Sequence, residues 1–130
     1  MDATMSFRRL VMPGDLNPAG RLFGGKIMMW ADEAAALYAM CQLETKRLVT
    51  MKVSEILFKE PVKEGDVLEF MASTLKVGRT SFTVNLDVVR KSIEDKAAPS
   101  PVVLSCQFTF VTVDFSGAST PHKFAPNNNA

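Results

Sequence analysis

The groups best suited to chemistry lie in one short stretch. Asp32 and Glu33 interrupt an apolar run from Ile27 to Cys41, and Gly24-Gly25 stands just ahead of it. If the run is helical, Asp32 has Met28, Met29, Ala35 and Ala36 beside it, with no basic residue three or four positions away. A carboxylate in such company is costly unless it binds something or meets a cation from elsewhere. Two readings follow: a working carboxylate, or an ion-pair partner for an Arg or Lys of another element or subunit. Glu33 lies about 100° further round the helix, so at least one of the two carboxylates points toward apolar surroundings or a subunit boundary. Gly24-Gly25 supplies no capping side chain, so the first amides of the helix are free for an anion or a developing oxyanion. A glycine cap solvated by water is the plain alternative.

Geometry links the two features. Gly24 and Gly25 precede Asp32 by eight and seven residues, roughly 10–12 Å along a helix. Reacting atoms must approach to roughly 3–3.5 Å, so one helix cannot both polarise a carbonyl and direct attack on it. If both features serve one reaction, the carboxylate comes from a second subunit.

The elements that must position these groups are legible in outline. Phe7 to Met12 reads as a strand, residues 13–20 as a loop rich in Pro and Gly, and Lys26 to about Glu44 as a helix. Strand signals follow at Leu48–Phe58, Val67–Val77, Thr80–Arg90 and Val102–Val113. Phe82, Val84, Leu86 and Val88 alternate with polar residues, as do Leu104, Cys106, Phe108 and Phe110 in the last strand. The order predicts α+β architecture with an antiparallel sheet in one domain spanning 1–130. Residues from about 116 read as a turn-rich, partly flexible tail ending in Asn127-Asn128-Asn129. The helix is apolar on nearly every side, which predicts burial all round. One sheet from so short a chain covers only part of it, so an obligate oligomer is expected, the plain alternative being a monomer with the helix half-covered and some Ala facing water.

Composition narrows the function. The 130 residues carry 15 Lys+Arg against 14 Asp+Glu, a net charge of +1 that argues against a global grip on nucleic acid or an anionic membrane. Two cysteines 65 positions apart fit neither a metal site nor a disulfide framework, and both Cys41 and Cys106 are expected to be buried thiols. No secretory leader or membrane span is apparent, which leads us to expect a soluble, cytoplasmic protein. The single histidine, His122, lies past the final strand. Mechanisms that need a core imidazole are therefore disfavoured.

Several ordered motifs add to this reading. Met12-Pro13-x-Asp15-x-Asn17-x-x-Gly20-x-x-Phe23-Gly24-Gly25 and Trp30-x-Asp32-Glu33-Ala34 closely resemble the opening signature of hotdog-fold acyl-CoA thioesterases, in particular the bacterial acyl-CoA hydrolases and their cytosolic long-chain relatives. Pro61-Val62-x-x-Gly65-Asp66-Val67, Val77-Gly78-Arg79-Thr80-Ser81 and Phe108-Thr109-Phe110-Val111-x-Val113-Asp114 extend the match over about residues 6–122. Some relatives have His where this chain has Phe23, which marks a subgroup.

The resemblance implies a five-stranded antiparallel sheet wrapped around one helix. It also implies homodimers of such subunits, assembled as a trimer of dimers into a homohexamer, and hydrolysis of acyl-CoA to free acid and CoA. It places the catalytic carboxylate at Asp32, the catalytic amide side chain at Asn17 of the partner chain, and the oxyanion-binding amide at Gly24 or Gly25. No cofactor or metal is implied, since CoA is part of substrate and product.

For CoA contacts, the Gly78-Arg79-Thr80-Ser81 segment offers amides, hydroxyls and a guanidinium, although by residue type alone it is an ordinary surface turn. Lys59 and Lys123 are weaker candidates. Met28, Met29, Met51 and Met71 suit either an adaptable acyl tunnel or plain core filling. Two other functions fit the same fold. One is an enoyl-thioester dehydratase or hydratase, which would need an active-site His; the other is a non-catalytic acyl-CoA-binding protein.

Overall fold

The computed structural model describes residues 3–125. Thr4–Leu10 forms β1, a 3-10 turn spans Pro13–Asp15, and Gly24–Leu43 forms the helix α1. Leu48–Phe58 (β2), Val67–Val77 (β3), Ser81–Lys91 (β4) and Val102–Thr112 (β5) complete the fold. All pairings are antiparallel, in the order β1-β3-β4-β5-β2. This is the sheet wrapped on one helix that the sequence predicts, and the ranges of β2 and β3 coincide with the expected ones. β1 ends two residues early, before Pro13, which has no N–H to extend a ladder. The expected Asn127–Asn129 tail lies outside the described residues.

Period-two patterning builds the inner face of the sheet. Leu68, Phe70 and Ala72 of β3, Phe82 to Val88 of β4 and Leu104 to Phe110 of β5 are buried at alternate positions. The helix meets this face with Ala31, Ala34, Ala35 and Ala39, all at 0% exposure, flanked by Ile27, Trp30, Tyr38 and Leu43. Alanines let the helix lie close to the sheet, and the Ser6 hydroxyl donates to the Ala34 carbonyl at 2.7 Å. At its end Glu44 takes a left-handed conformation (φ 53°) and returns its N–H to the Met40 carbonyl.

Burial all round is not reached within one chain. Met29, Leu37 and Cys41 lie on an exposed stripe with Glu33. Cys41 therefore corrects the expectation of a buried thiol, while Cys106 fulfils it. Burial pushes the Cys106 thiol up to about 12, so it is inert at neutral pH.

The two edges of the sheet differ. β1 carries Arg8, paired with Glu69 at 2.6 Å, and Arg9, whose guanidinium lies 4.5 Å over the Trp30 ring. Charged side chains of this kind blunt an edge. The β2 edge instead exposes Val49, Met51, Val53, Ile56, Leu57 and Phe58. A long apolar edge with free backbone groups is a surface for pairing with another chain.

The alanine contact makes a direct prediction. Ala34→Leu overpacks the helix–sheet interface and should cost about 1–3 kcal/mol, measured as a lower urea midpoint. An unchanged midpoint would mean that the helix is not held at alanine distance.

Candidate active site

The loop before α1 is a braced structure rather than a slack connection. The Asp15 carboxylate accepts from the Met12 amide (2.9 Å) and from Lys26 Nζ (2.8 Å), and its carbonyl accepts from Phe23 N–H (3.2 Å). Lys26 sits in the first turn of the helix, so this ion pair ties loop and helix start together. The Lys26 hydrogen bond, then the Met12 amide, holds the Asp15 carboxyl below its ordinary 3.8.

Asn17 closes the same loop. Its Oδ1 accepts from the Ala19 and Arg21 amides at 2.9 and 3.1 Å, its N–H reaches the Arg21 carbonyl at 2.7 Å, and Gly20 turns the chain at φ 77°. The carbonyl half of the side chain is thereby committed to the loop. The Nδ2 half donates to no group among the described residues.

The helix start has the free amides that the sequence predicts. Phe23 is the cap residue, at φ −58° and ψ 132°, with no side-chain capping bond. Its carbonyl accepts from Lys26 and Ile27, and the Gly24 and Gly25 amides find no acceptor among the described residues. Beside them a cavity of about 460 Å³ opens between the helix start and the end of β2, lined by Leu22, Gly24, Ile27, Phe58, Lys59 and Val62 among others. The Phe58 ring would lie 3.6 Å from a Cβ at Gly24. Nothing lies within 4 Å of a Cβ at Gly25.

Asp32 projects sideways from α1 to the exposed edge of the sheet. Its Oδ1 accepts from Thr50 Oγ1 of β2 at 2.9 Å, and no cation pairs with it among the described residues. Of the two readings open in the sequence, the ion pair is therefore not made within the chain. One neutral hydroxyl orients the carboxylate and leaves its second oxygen free to accept a proton.

Gly78 donates to the Ser81 carbonyl at 2.9 Å, and a Cβ at Gly78 would make the Ser81 hydroxyl rotate away. The turn is bolted to the C-terminal segment. The Arg79 carbonyl accepts from His122 N–H (3.3 Å), Thr80 from Thr112 N–H (2.9 Å), and Ser81 from His122 Nε2 (2.8 Å). His122 Nδ1 accepts from the Phe124 amide at 3.1 Å, which assigns the proton to Nε2. Both nitrogens of the only imidazole are thus spent on structure.

Within one chain the candidates form three groups. Asn17, Gly24, Gly25 and Lys59 gather at the helix start, and Asp32 lies further along with Thr50. Gly78, Arg79, Thr80, Ser81 and Lys123 sit at the opposite end of the sheet, and Lys123 pairs with Glu44 at 2.7 Å. A helix of 20 residues spans about 30 Å, so the first and last groups do not meet in one subunit. Asp15 and Lys26 are supporting residues that the sequence reading did not single out, although Asp15 lies inside the opening motif. Thr50 had no local signal at all.

Removing the brace has a pH signature. Asp15 is most stabilising when ionised, because its folded-state affinity for protons is depressed. The stability gap between wild type and Asp15→Asn should be full above 3.8 and close as pH falls through the lower folded-state value. Urea midpoints across an acid pH series measure it, and a gap independent of pH would remove the ion pair from the account.

The model of the thioesterase superfamily matches residues 19–97. An uncharacterised acyl-CoA thioester hydrolase of Haemophilus influenzae is 37% identical over 113 residues, covering 86% of this chain and 73% of that protein. The acyl-CoA thioester hydrolase YciA of Salmonella typhimurium is 34% identical over 115 residues, covering 88% and 86%. Among solved structures, a hexameric hotdog fold thioesterase of Campylobacter jejuni superposes with a TM-score of 0.82 at 32% identity, over 92% of this chain and 90% of that one. The five-stranded sheet and helix described above are the hotdog fold. No helix among the described residues is long and apolar enough to cross a membrane.

Proposed function

The chain belongs to the thioesterase superfamily, and from that membership we propose that it is an acyl-CoA hydrolase whose active site is shared between two subunits. The observation that carries the reading is the Asp32 carboxylate, held by one hydroxyl beside an unpaired apolar edge strand and separated along its own helix from the free amides. Antiparallel pairing of two β2 edges would cover those apolar side chains and join two five-stranded sheets. The middle of β2 is Val53. A two-fold axis there sets position 50 opposite position 56 of the partner, near the end of β2 where Phe58 meets Gly24. Such an arrangement brings Asp32 of one subunit toward the helix start of the other. The hexameric state of the Campylobacter relative supports a trimer of such dimers, a homohexamer, for this chain.

The chemistry follows from the groups. The thioester carbonyl oxygen docks at the Gly24/Gly25 amides, which stabilise the negative charge that grows on it. Asp32 takes a proton from the attacking water, or attacks the carbonyl itself to give an anhydride that water then opens. Asn17 directs its Nδ2 at the water or carbonyl, while its Oδ1 keeps the loop in place. The C–S bond breaks, the free acid leaves, and the thiolate departs as a good leaving group that needs no histidine acid. This reading calls for no resident metal or cofactor. With both His122 nitrogens occupied, it is favoured over the dehydratase alternative.

Release of free thiol from an acyl-CoA panel tests the reading. Asp32→Ala should lose about 10²–10⁴ in turnover. Asn17→Asp, which keeps the Oδ1 acceptor but loses Nδ2, should fall by about 10². Mixed oligomers of the two inactive variants should regain part of the activity, because each mixed dimer holds one site with both residues intact. Undiminished turnover in Asp32→Ala rejects the mechanism, and a chain that binds but never turns over acyl-CoA rejects the enzyme.

The oxyanion amide can be probed separately. Phe23 already has the extended conformation required before proline, and the first helical position tolerates proline. Gly24→Pro should therefore keep the fold while deleting one N–H, with turnover down about 10²–10³ if that amide is the donor. Normal turnover would assign the role to Gly25.

A further inference from the structure

The end of the molecule that carries the Gly78–Ser81 turn has a feature the mechanism above does not use. Phe115 is 92% exposed, yet it is held on a rigid tip rather than a loose loop. Asp114 Oδ1 accepts from the Ser116 amide (2.9 Å), the Ser116 hydroxyl (2.6 Å) and the Ala118 amide (3.0 Å). Gly117 turns the chain at φ 90°, and Val113 bridges Ser119. The Arg47 guanidinium lies 4.2 Å over one face of the Phe115 ring. The other face is open.

The surroundings are cationic. Arg47 and Lys123 line one hollow with Phe115 and Asp114, Arg79 lies in the turn bonded to His122 of the same segment, Lys46 precedes Arg47 in the chain, and Lys123 is paired with Glu44 at 2.7 Å. Backbone bonds join the parts: Val113 N–H to the Arg47 carbonyl at 3.0 Å, Thr112 N–H to Thr80, and His122 N–H to Arg79. Arg47 is also three residues before Thr50, the partner of Asp32. At about 3.3 Å per residue the basic end begins about 10 Å from that carboxylate along β2.

A fixed aromatic face, a stacked guanidinium and convergent positive charge together suit a purine nucleotide bearing several phosphates. We propose that Phe115 and Arg47 form the nucleotide platform for the CoA part of the substrate. Adenine stacks on the open face of Phe115, and the phosphates meet Arg47 and Arg79. The proposal rests on the acyl-CoA reading. It adds Phe115 and Arg47 to the binding residues and moves Lys59, at the far end of the sheet, out of the nucleotide site of the same subunit.

The test compares the best acyl-CoA of the panel with the pantetheine thioester of the same acid, which lacks the nucleotide. In Phe115→Ala the ratio of kcat/KM for the CoA ester to that for the pantetheine ester should fall about tenfold, through KM, the size expected for losing one stacked base. Phe115→Trp should restore the ratio. Arg47→Ala should lower it as well and flatten its dependence on salt. Equal loss on both esters, or no loss on either, overturns the platform. Titration of free CoA against pantetheine supplies an arm independent of turnover: Phe115→Ala should weaken CoA about tenfold, and unchanged CoA affinity rejects the proposal even if the chain hydrolyses nothing.

Discussion

The close seating of α1 in the curved sheet governs the rest of the molecule. Four alanines without exposure let the helix backbone approach the strands, and the large side chains on either side fill the margins. Because the contact is intimate on one face, residues elsewhere on the helix are turned outward. Met29, Leu37 and Cys41 are left exposed, and Asp32 is carried sideways to the hydroxyl of Thr50. A helix seated further out, on larger residues, would not bring this carboxylate to the rim of the sheet.

The same seating keeps the two halves of the proposed apparatus apart. A helix start and a carboxylate two turns later cannot converge on one carbonyl, and the rigid backbone between them allows no compromise. The edge next to Asp32 is mostly apolar, interrupted by Lys52 and Glu55, while arginines stand on the other. Apolar exposure, an unpaired backbone and a half-equipped site coincide on one strand. Covering the strand and completing the site are, in this reading, one event.

The polar groups divide their labour along similar lines. Asp15 and the carbonyl half of Asn17 hold the loop before the helix, and His122 holds the far turn to the C-terminal segment. In the proposed reaction the chemistry falls to groups whose bonds are not all committed: the amide half of Asn17, the first amides of α1, and the second oxygen of Asp32. Scarcity of histidine fits this division, since the one imidazole works as a bolt.

How far these features could be read in advance depends on whether their cause is local. Strand alternation in Phe82–Val88 and Leu104–Phe110, the Ala-rich helix and the uncapped Gly24-Gly25 are set by neighbouring residues, so the sequence determines the elements and nearly their boundaries. The motif around Asn17 and Asp32 likewise carried the resemblance to a thioesterase family, and the comparisons place the chain in that family. Thr50 as the partner of Asp32, the exposure of Cys41 and the stacking of Arg47 on Phe115 were not legible. Each depends on how the helix is rotated in the sheet, or on which strand lands at the edge. Those are decided by packing between residues far apart in the chain, for which no short stretch of sequence holds a signal.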